Sequence, residues 1–269
     1  MSKRIGVVGC GLMGSGIAEV CARAGLDVVV IESNQNALDL GLKRIQSSLV
    51  RALKSNRISE QQLEDANQKL EFTLDFGRLG DRDIVIEAAT ESEPVKVEIF
   101  KKIDKEVKSD TAILASNTSS IPIMKLAMAT SRPESVIGIH FFNPVPVLPL
   151  VELVRSLLTS APCEETANDF AANTLGKTVI RSKDRAGFIV NALLIPYILS
   201  AIRMFESGFA SAADIDTGMI QGCAHPMGPL ALADLIGLDT TAAVAQSLYE
   251  EFKTPEAIAD YVGKLRETR

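Results

Sequence analysis

The stretch that decides the fold is Ile5-Gly6-Val7-Val8-Gly9-Cys10-Gly11-Leu12-Met13-Gly14, near the start of the 269-residue chain. Its β-type residues lead into glycines spaced as G-x-G-x-x-G, and a helix-like segment over 16–24 follows. A second apolar run, 28–31, ends in Glu32. A strand, a glycine turn, a helix, a second strand and an acid in this order predict a dinucleotide-binding βαβ unit.

Each glycine of the turn has a physical reason. Gly9 permits the tight turn, Gly11 lets the backbone approach a pyrophosphate, and Gly14 lets the helix pack closely on the strand. The helix N-terminus then offers N–H groups and a partial positive charge to phosphates. We therefore expect the turn, Leu12 and Met13 included, to bind a dinucleotide.

The acid that follows the second strand predicts which dinucleotide binds. Glu32 lies eighteen positions past Gly14, close to where this fingerprint places an acid on the adenosine ribose. Its carboxylate would repel a 2′-phosphate, and residues 33–35 supply no Arg or Lys to attract one. NAD is expected rather than NADP.

Composition bounds the remaining choices. With 46% apolar residues, 23% charged residues and a net charge of −6, the chain reads as a soluble globular protein whose main partner is not nucleic acid. Its four cysteines are scattered without metal-ligand spacing, so we expect reduced thiols, a cytoplasmic location and no metal. The first strand begins so early that no signal peptide is expected. The apolar run 188–202 is too short to span a membrane and predicts a buried helix.

The order of periodic segments predicts two domains. Residues 1–184 alternate strand-like and helix-like runs, with buried strands at 83–89, 111–115, 136–140, 150–154 and 176–180 and helical patterns at 36–69, 94–107 and 161–175. From 185 to 269 the pattern is helical only, over 188–206, 212–221, 229–236 and 239–252. The predicted fold is α/β: a Rossmann-type, mostly parallel sheet with helices on both faces, followed by a smaller all-α domain.

Small polar residues cluster at 116–120, just past a predicted strand. This is where open α/β sheets bind ligands. One or two of them would suffice to cap the helix expected near Pro122, so the excess favours a site.

His140 ends the next predicted strand, which covers residues 136–140. Glu152 lies twelve residues further on, inside a short apolar run where an unpartnered carboxylate would be costly. Pairing with His140 across neighbouring strands would remove that cost and orient the imidazole, as a general base requires. Two other polar residues are less decisive: Asn191 either caps a neighbouring backbone or faces a ligand, and His225, in a turn that starts a helix, reads as structural.

Five motifs together resemble the 3-hydroxyacyl-CoA dehydrogenase family over residues 3–252. They are Gly9-Cys10-Gly11-Leu12-Met13-Gly14, Ala115-Ser116-Asn117-Thr118-Ser119-Ser120, His140-Phe141-Phe142-Asn143-Pro144, Gly187-Phe188-Ile189-Val190-Asn191 and His225-Pro226-Met227-Gly228-Pro229. The resemblance implies an NAD-dependent enzyme that oxidises short (S)-3-hydroxyacyl-CoA substrates, and a homodimer formed through the second domain.

The resemblance also implies roles for single residues. His140 matches the family's catalytic base and Glu152 its orienting carboxylate. Substrate oxygens would be held by Ser119 and Asn191. The residues matching cofactor contacts beyond the turn are Glu91, Lys96, Ser119 and Asn143. Ser48 and Lys54, on the long helical hairpin, match the region that binds the CoA moiety, through a looser motif.

Some features depart from the family pattern, and other functions stay open. Glu32 stands where Asp is commoner, Ala186 replaces a usual proline, and the segment after Phe252 lacks the family's Pro-rich continuation. A relative that oxidises a free sugar acid such as gulonate would need no CoA. A non-catalytic, crystallin-like role would not require the four residues with implied catalytic roles, which are His140, Glu152, Ser119 and Asn191. A lysine-dependent β-hydroxyacid dehydrogenase would need a lysine where Asn191 stands.

Overall fold

The computed structural model describes residues 3–253, which divide into two compact units. The first unit contains the residues up to Thr118 together with Pro122–Asp184, and the second contains Ser119–Ile121 and the chain from Arg185 onward. The segment that departs from the family pattern lies, after Lys253, outside the described residues.

The first unit is built on one eight-stranded sheet. Its strands are β1 (Arg4–Val8), β2 (Asp27–Ile31), β3 (Leu70–Thr73), β4 (Ile84–Glu87), β5 (Ile113–Ser116), β6 (Val136–Phe141), β7 (Leu150–Arg155) and β8 (Thr178–Lys183). They are ordered β3-β2-β1-β4-β5-β6-β7-β8, and every neighbouring pair is parallel except β6–β7. The predicted α/β, Rossmann-type fold is confirmed.

Helices connect these strands. They are α1 (Leu12–Arg23), α2 (Gln35–Lys54), α3 (Glu60–Gln68), α4 (Glu93–Glu106), α5 (Ile123–Ala127) and α6 (Ala161–Asp169), which continues as a π-helical turn over Phe170–Thr174. The predicted helical stretch 36–69 is a hairpin of α2 and α3, and Ser59 starts α3 with a capping box.

Two details differ from the sequence-based expectation. The edge strand β3 was missed, because Leu70-Glu71-Phe72-Thr73 is short, half-exposed and lacks the apolar run of a central strand. Helix α1 begins at Leu12, four residues earlier than expected, because the three glycines let the turn tighten directly into the helix.

The second unit is helical in its described part. Its helices are α7 (Val190–Glu206), α8 (Ala212–Cys223), α9 (Pro229–Ile236) and α10 (Leu238–Phe252). The apolar faces of α7, α9 and α10 meet in one core that includes Ile198, Ile202, Val244 and Leu248. Asp216 accepts hydrogen bonds from the first backbone N–H groups of α9. Among residues 3–253, no helix is long and apolar enough to cross a membrane.

Candidate active site

The glycine turn joins β1 to α1 at the carboxyl edge of the sheet. Gly9 has a φ of +96°, and a Cβ there would come within 2.7–2.8 Å of the backbone after β4. A Cβ on Gly14 would lie 1.9 Å from the Gly9 carbonyl oxygen. A Cβ on Gly11, in contrast, would meet no atom within 4 Å. Packing therefore requires Gly9 and Gly14 to be glycine, whereas Gly11 leaves open space beside the turn.

That open space fits a dinucleotide phosphate. Helix α1 has no side-chain hydrogen bond at its N-cap, Gly11, and no acidic residue in its first turn. Its N–H groups and positive dipole end therefore face the space beside Gly11 without a competing carboxylate on the helix.

The acid at the end of β2 is held against the same turn. Glu32 Oε1 accepts a hydrogen bond from the Cys10 N–H at 2.6 Å, and Oε2 accepts one from the Ser33 N–H at 2.9 Å. The thiol of Cys10 is buried, and burial together with the Glu32 charge raises its pKa to about 12. A neutral thiol and a fixed carboxylate thus lie at the predicted ribose position.

The predicted pairing of a histidine with a carboxylate across two strands is observed. His140 on β6 and Glu152 on β7 are direct partners in the antiparallel register. His140 Nδ1 lies 2.9 Å from Glu152 Oε2, and both side chains are buried. The Phe142 ring packs edge-on against the imidazole, with centroids 4.7 Å apart. The carboxylate contacts Nδ1 and so orients the imidazole ring within the sheet.

The polar segment after β5 links three strands. Asn117 Oδ1 accepts a hydrogen bond from the Phe141 N–H, next to His140. Ser116 Oγ donates to Glu87 at the end of β4, and Thr118 Oγ1 donates to Glu91. These residues are not the cap of the next helix, because the carboxylate of Asp184 accepts from the first N–H groups of α5.

Glu87, Lys96 and Glu91 form a cluster of charged side chains near the carboxyl end of β4. This cluster was not predicted from the sequence. Glu87 is fully buried, and Lys96 Nζ lies 2.6 Å from its Oε1 and 3.3 Å from Glu91 Oε2. Glu87 also accepts hydrogen bonds from the Ala89 N–H and from Ser116. The position of Glu87 inside the apolar run 83–89 was the one sequence signal that could have identified this cluster.

Two predicted substrate residues lie in the second unit. Ser119 belongs to the 119–121 segment, which Ser247 of α10 holds by donating to the Ser120 carbonyl oxygen at 2.8 Å. Asn191 is the second residue of α7 and is half-buried. His225 contacts Tyr197, with 3.2 Å between the ring nitrogen and the hydroxyl, which agrees with its structural interpretation.

A cavity of about 420 Å³ opens in the first unit between α1, α2 and the loop after β6. Ser48 lines it, whereas Lys54 is exposed at the end of α2 and does not. Its wall also includes Glu19, Lys43, Arg44, Arg51 and Asn143. Burial raises the pKa of Glu19, and hydrogen bonds from Ser48 and Arg23 oppose that rise. The cavity therefore carries an excess of positive charge.

The fold and this edge of the sheet define a dinucleotide-binding oxidoreductase. The family model described as 3-hydroxyacyl-CoA dehydrogenase, NAD binding domain, matches residues 4–185, and the model of the C-terminal domain matches residues 187–267. The chain belongs to the 3-hydroxyacyl-CoA dehydrogenase family, and it is an NAD-dependent enzyme.

Individual relatives agree with this assignment. The chain is 54% identical over 253 residues to a 3-hydroxybutyryl-CoA dehydrogenase of Mycobacterium tuberculosis, covering 94% of this chain and 88% of that one. It is 41% identical over 254 residues to the mitochondrial hydroxyacyl-coenzyme A dehydrogenase of Homo sapiens, covering 92% and 80%. The crystal structure of an (S)-3-hydroxybutyryl-CoA dehydrogenase from Ralstonia eutropha matches with a TM-score of 0.92 at 44% identity, covering 100% of this chain and 94% of that one.

Proposed function

We propose that the chain catalyses the reversible, NAD-dependent oxidation of (S)-3-hydroxybutyryl-CoA to acetoacetyl-CoA. The observation that carries this proposal is the buried His140–Glu152 pair, which ends β6 at the same edge of the sheet as the glycine turn. The substrate is supported by the relatives named for it.

The pair is suited to moving one proton. With Nδ1–H donating to Glu152, His140 Nε2 takes the proton of the 3-hydroxyl group during oxidation. The carboxylate 2.9 Å away stabilises the imidazolium that forms. Bound NAD supplies the hydride acceptor. In the reverse direction the imidazolium returns the proton to the oxygen of the ketone.

The remaining polar residues position the reactants. Ser119 and Asn191 hold the substrate oxygens, and the half-buried Asn191 amide has no hydrogen-bond partner within residues 3–253, which leaves its donors and acceptor for a ligand. The proposed cofactor contacts are Gly9, Gly11, Leu12, Met13, Gly14, Glu32, Glu91, Ser119 and Asn143. Lys96 is buried beneath Glu91, and we assign it the positioning of that carboxylate.

The positive cavity is the proposed binding region of the CoA moiety, with Ser48 in its wall, and Lys54, which is exposed further along α2, is proposed as an additional CoA contact. Phosphate groups of CoA carry several negative charges, which the cations of α2 attract. The cavity extends to Asn143, three residues after His140, so an acyl thioester bound along it would lead toward the proposed base.

Replacing Arg51 or Lys54 with alanine should raise the KM for acetoacetyl-CoA about five- to tenfold with little change in kcat, because each contact acts equally in the ground state and the transition state. Steady-state kinetics at low salt measures this. Lys105→Ala, an exposed lysine on α4, is the charge-matched control and should leave KM within twofold. Unchanged KM in both variants would remove the CoA assignment of α2.

The second unit is the proposed substrate-binding and dimerisation domain, corresponding to residues 185–269, and residues 1–184 are the proposed NAD-binding domain. Exposed apolar side chains on the second unit, Leu193 and Phe209 among them, support a homodimer. Light scattering of the purified protein should give twice the mass of 28.9 kDa, and a monomer at micromolar concentration would contradict the dimer. The four free cysteines are consistent with a cytoplasmic enzyme.

The deciding experiment is acetoacetyl-CoA reduction, followed by loss of NADH absorbance, with free acetoacetate and NADPH in parallel. Fast turnover only with the thioester and NADH supports the proposed function. Reduction of free acetoacetate, without CoA, would favour the type of relative that acts on free acids instead. Bound NADH without turnover of any substrate would favour a non-catalytic role.

A further inference from the structure

Arg44 is brought to the glycine turn by an unusually close approach of α2. A Cβ on Gly41 would lie 2.3 Å from Cys10 Sγ and 2.9 Å from the Cys10 carbonyl oxygen, so only glycine lets the helix pack here. Residues three apart share a helix face, and Arg44 therefore follows Gly41 onto the turn. Its Nη1 donates to the Cys10 carbonyl oxygen at 3.3 Å.

Glu32 and Arg44 thus bind the two backbone polar groups of the same residue, Cys10. Glu32 accepts from the N–H of Cys10, and Arg44 donates to its carbonyl group. The charges of Glu32 and Arg44 both act on the thiol of Cys10, because Glu32 raises its pKa and Arg44 lowers it. The cation Arg44 therefore lies close to Glu32, the acid proposed to bind the adenosine ribose, although residues 33–35 contain no cation.

We propose that Arg44 is a second determinant of cofactor choice, a cation able to receive a 2′-phosphate that Glu32 excludes. The guanidinium group of Arg44 has five N–H donors, of which one donates to the Cys10 carbonyl oxygen, and Arg44 is exposed. Arginine is the side chain best suited to phosphate oxygens. Preference for NAD then depends on the negative charge of Glu32, whereas Arg44 already supplies a positive charge that could bind the 2′-phosphate of NADP. This inference rests on the proposed placement of the adenosine ribose at Glu32.

The test is binding of NADH and NADPH, measured by the fluorescence of each nucleotide in titrations with the full chain. Glu32→Ser should weaken NADH binding and tighten NADPH binding at least tenfold over the wild type, with NADH displacing NADPH. Adding Arg44→Ala to Glu32→Ser should weaken NADPH binding at least tenfold and change NADH binding less than threefold. Adding Arg44→Lys should preserve part of the gain.

Arg51→Ala in the same background is the matched control, since it removes the same charge from the same helix two turns further along. It should leave NADPH binding within twofold. The inference is overturned if Glu32→Ser gains no affinity for NADPH, or if Arg44→Ala and Arg51→Ala weaken NADPH binding equally. Failure of the proposed function has a separate signature, namely absence of acetoacetyl-CoA turnover by the wild-type chain with NADH.

Discussion

His140→Gln is expected to lower kcat for acetoacetyl-CoA reduction by about 10²–10⁴, the range that a positioned general acid or base contributes. Glutamine keeps much of the volume and polarity of the side chain but cannot carry the proton. NADH affinity, measured by fluorescence, should change little because the glycine turn and Glu32 are untouched. Loss of kcat at constant NADH affinity is the result that the proposed proton transfer requires.

The other histidine of the chain is the matched control. His225 contacts Tyr197 in the second unit, and His225→Gln should leave kcat within twofold. A His140→Gln enzyme that retains more than a tenth of wild-type turnover would eliminate His140 as the base.

Glu152 should act only through His140, and this is testable by combining variants. Glu152→Gln alone should lower kcat, because the amide does not stabilise an imidazolium. The double variant with His140→Gln should be no slower than His140→Gln alone, since groups that act as one unit are not additive. Independent, multiplying losses would mean that Glu152 has a separate function.

Lys96→Met is expected to destabilise the protein by about 3–5 kcal/mol, the cost of leaving a buried charge without its partner. Lys96 is 1% exposed and Glu87 0%, so water cannot replace the lost ammonium group. Urea unfolding followed by circular dichroism measures the effect. Adding Glu87→Gln should recover much of the loss, because the neutral amide no longer needs a counter-charge and still hydrogen-bonds the surrounding groups.

An exposed ion pair on the same helix provides the comparison. Lys101 and Glu98 lie 2.7 Å apart with both side chains more than half exposed. Lys101→Met should change the free energy of unfolding far less than Lys96→Met does, because exposed ion pairs contribute little to stability. If Lys96→Met instead weakened NADH binding without loss of stability, Lys96 would contact the cofactor directly, as the family resemblance implies.

Particular residues show why some elements could be predicted and others could not. The strands holding His140 and Glu152 are apolar runs, and a costly carboxylate in one of them predicted its partner on the neighbouring strand. The edge strand 70–73 has no such run. Glu87 stands in an apolar run, but no local pattern marks Lys96 as its buried partner. Arg44 reaches the turn only because Gly41 admits its helix.

The sequence by itself determined the βαβ dinucleotide unit, the two-part organisation, the NAD cofactor and the pairing of His140 with Glu152. Those inferences depend on local spacing, strand periodicity and the energetic cost of burying a charge, all of which can be read along the chain. Only the tertiary structure decided that Lys96 is buried against Glu87 and that Arg44 faces Cys10, thirty-four residues away. Such contacts depend on the packing of helices and strands distant in sequence, and no local pattern encodes them.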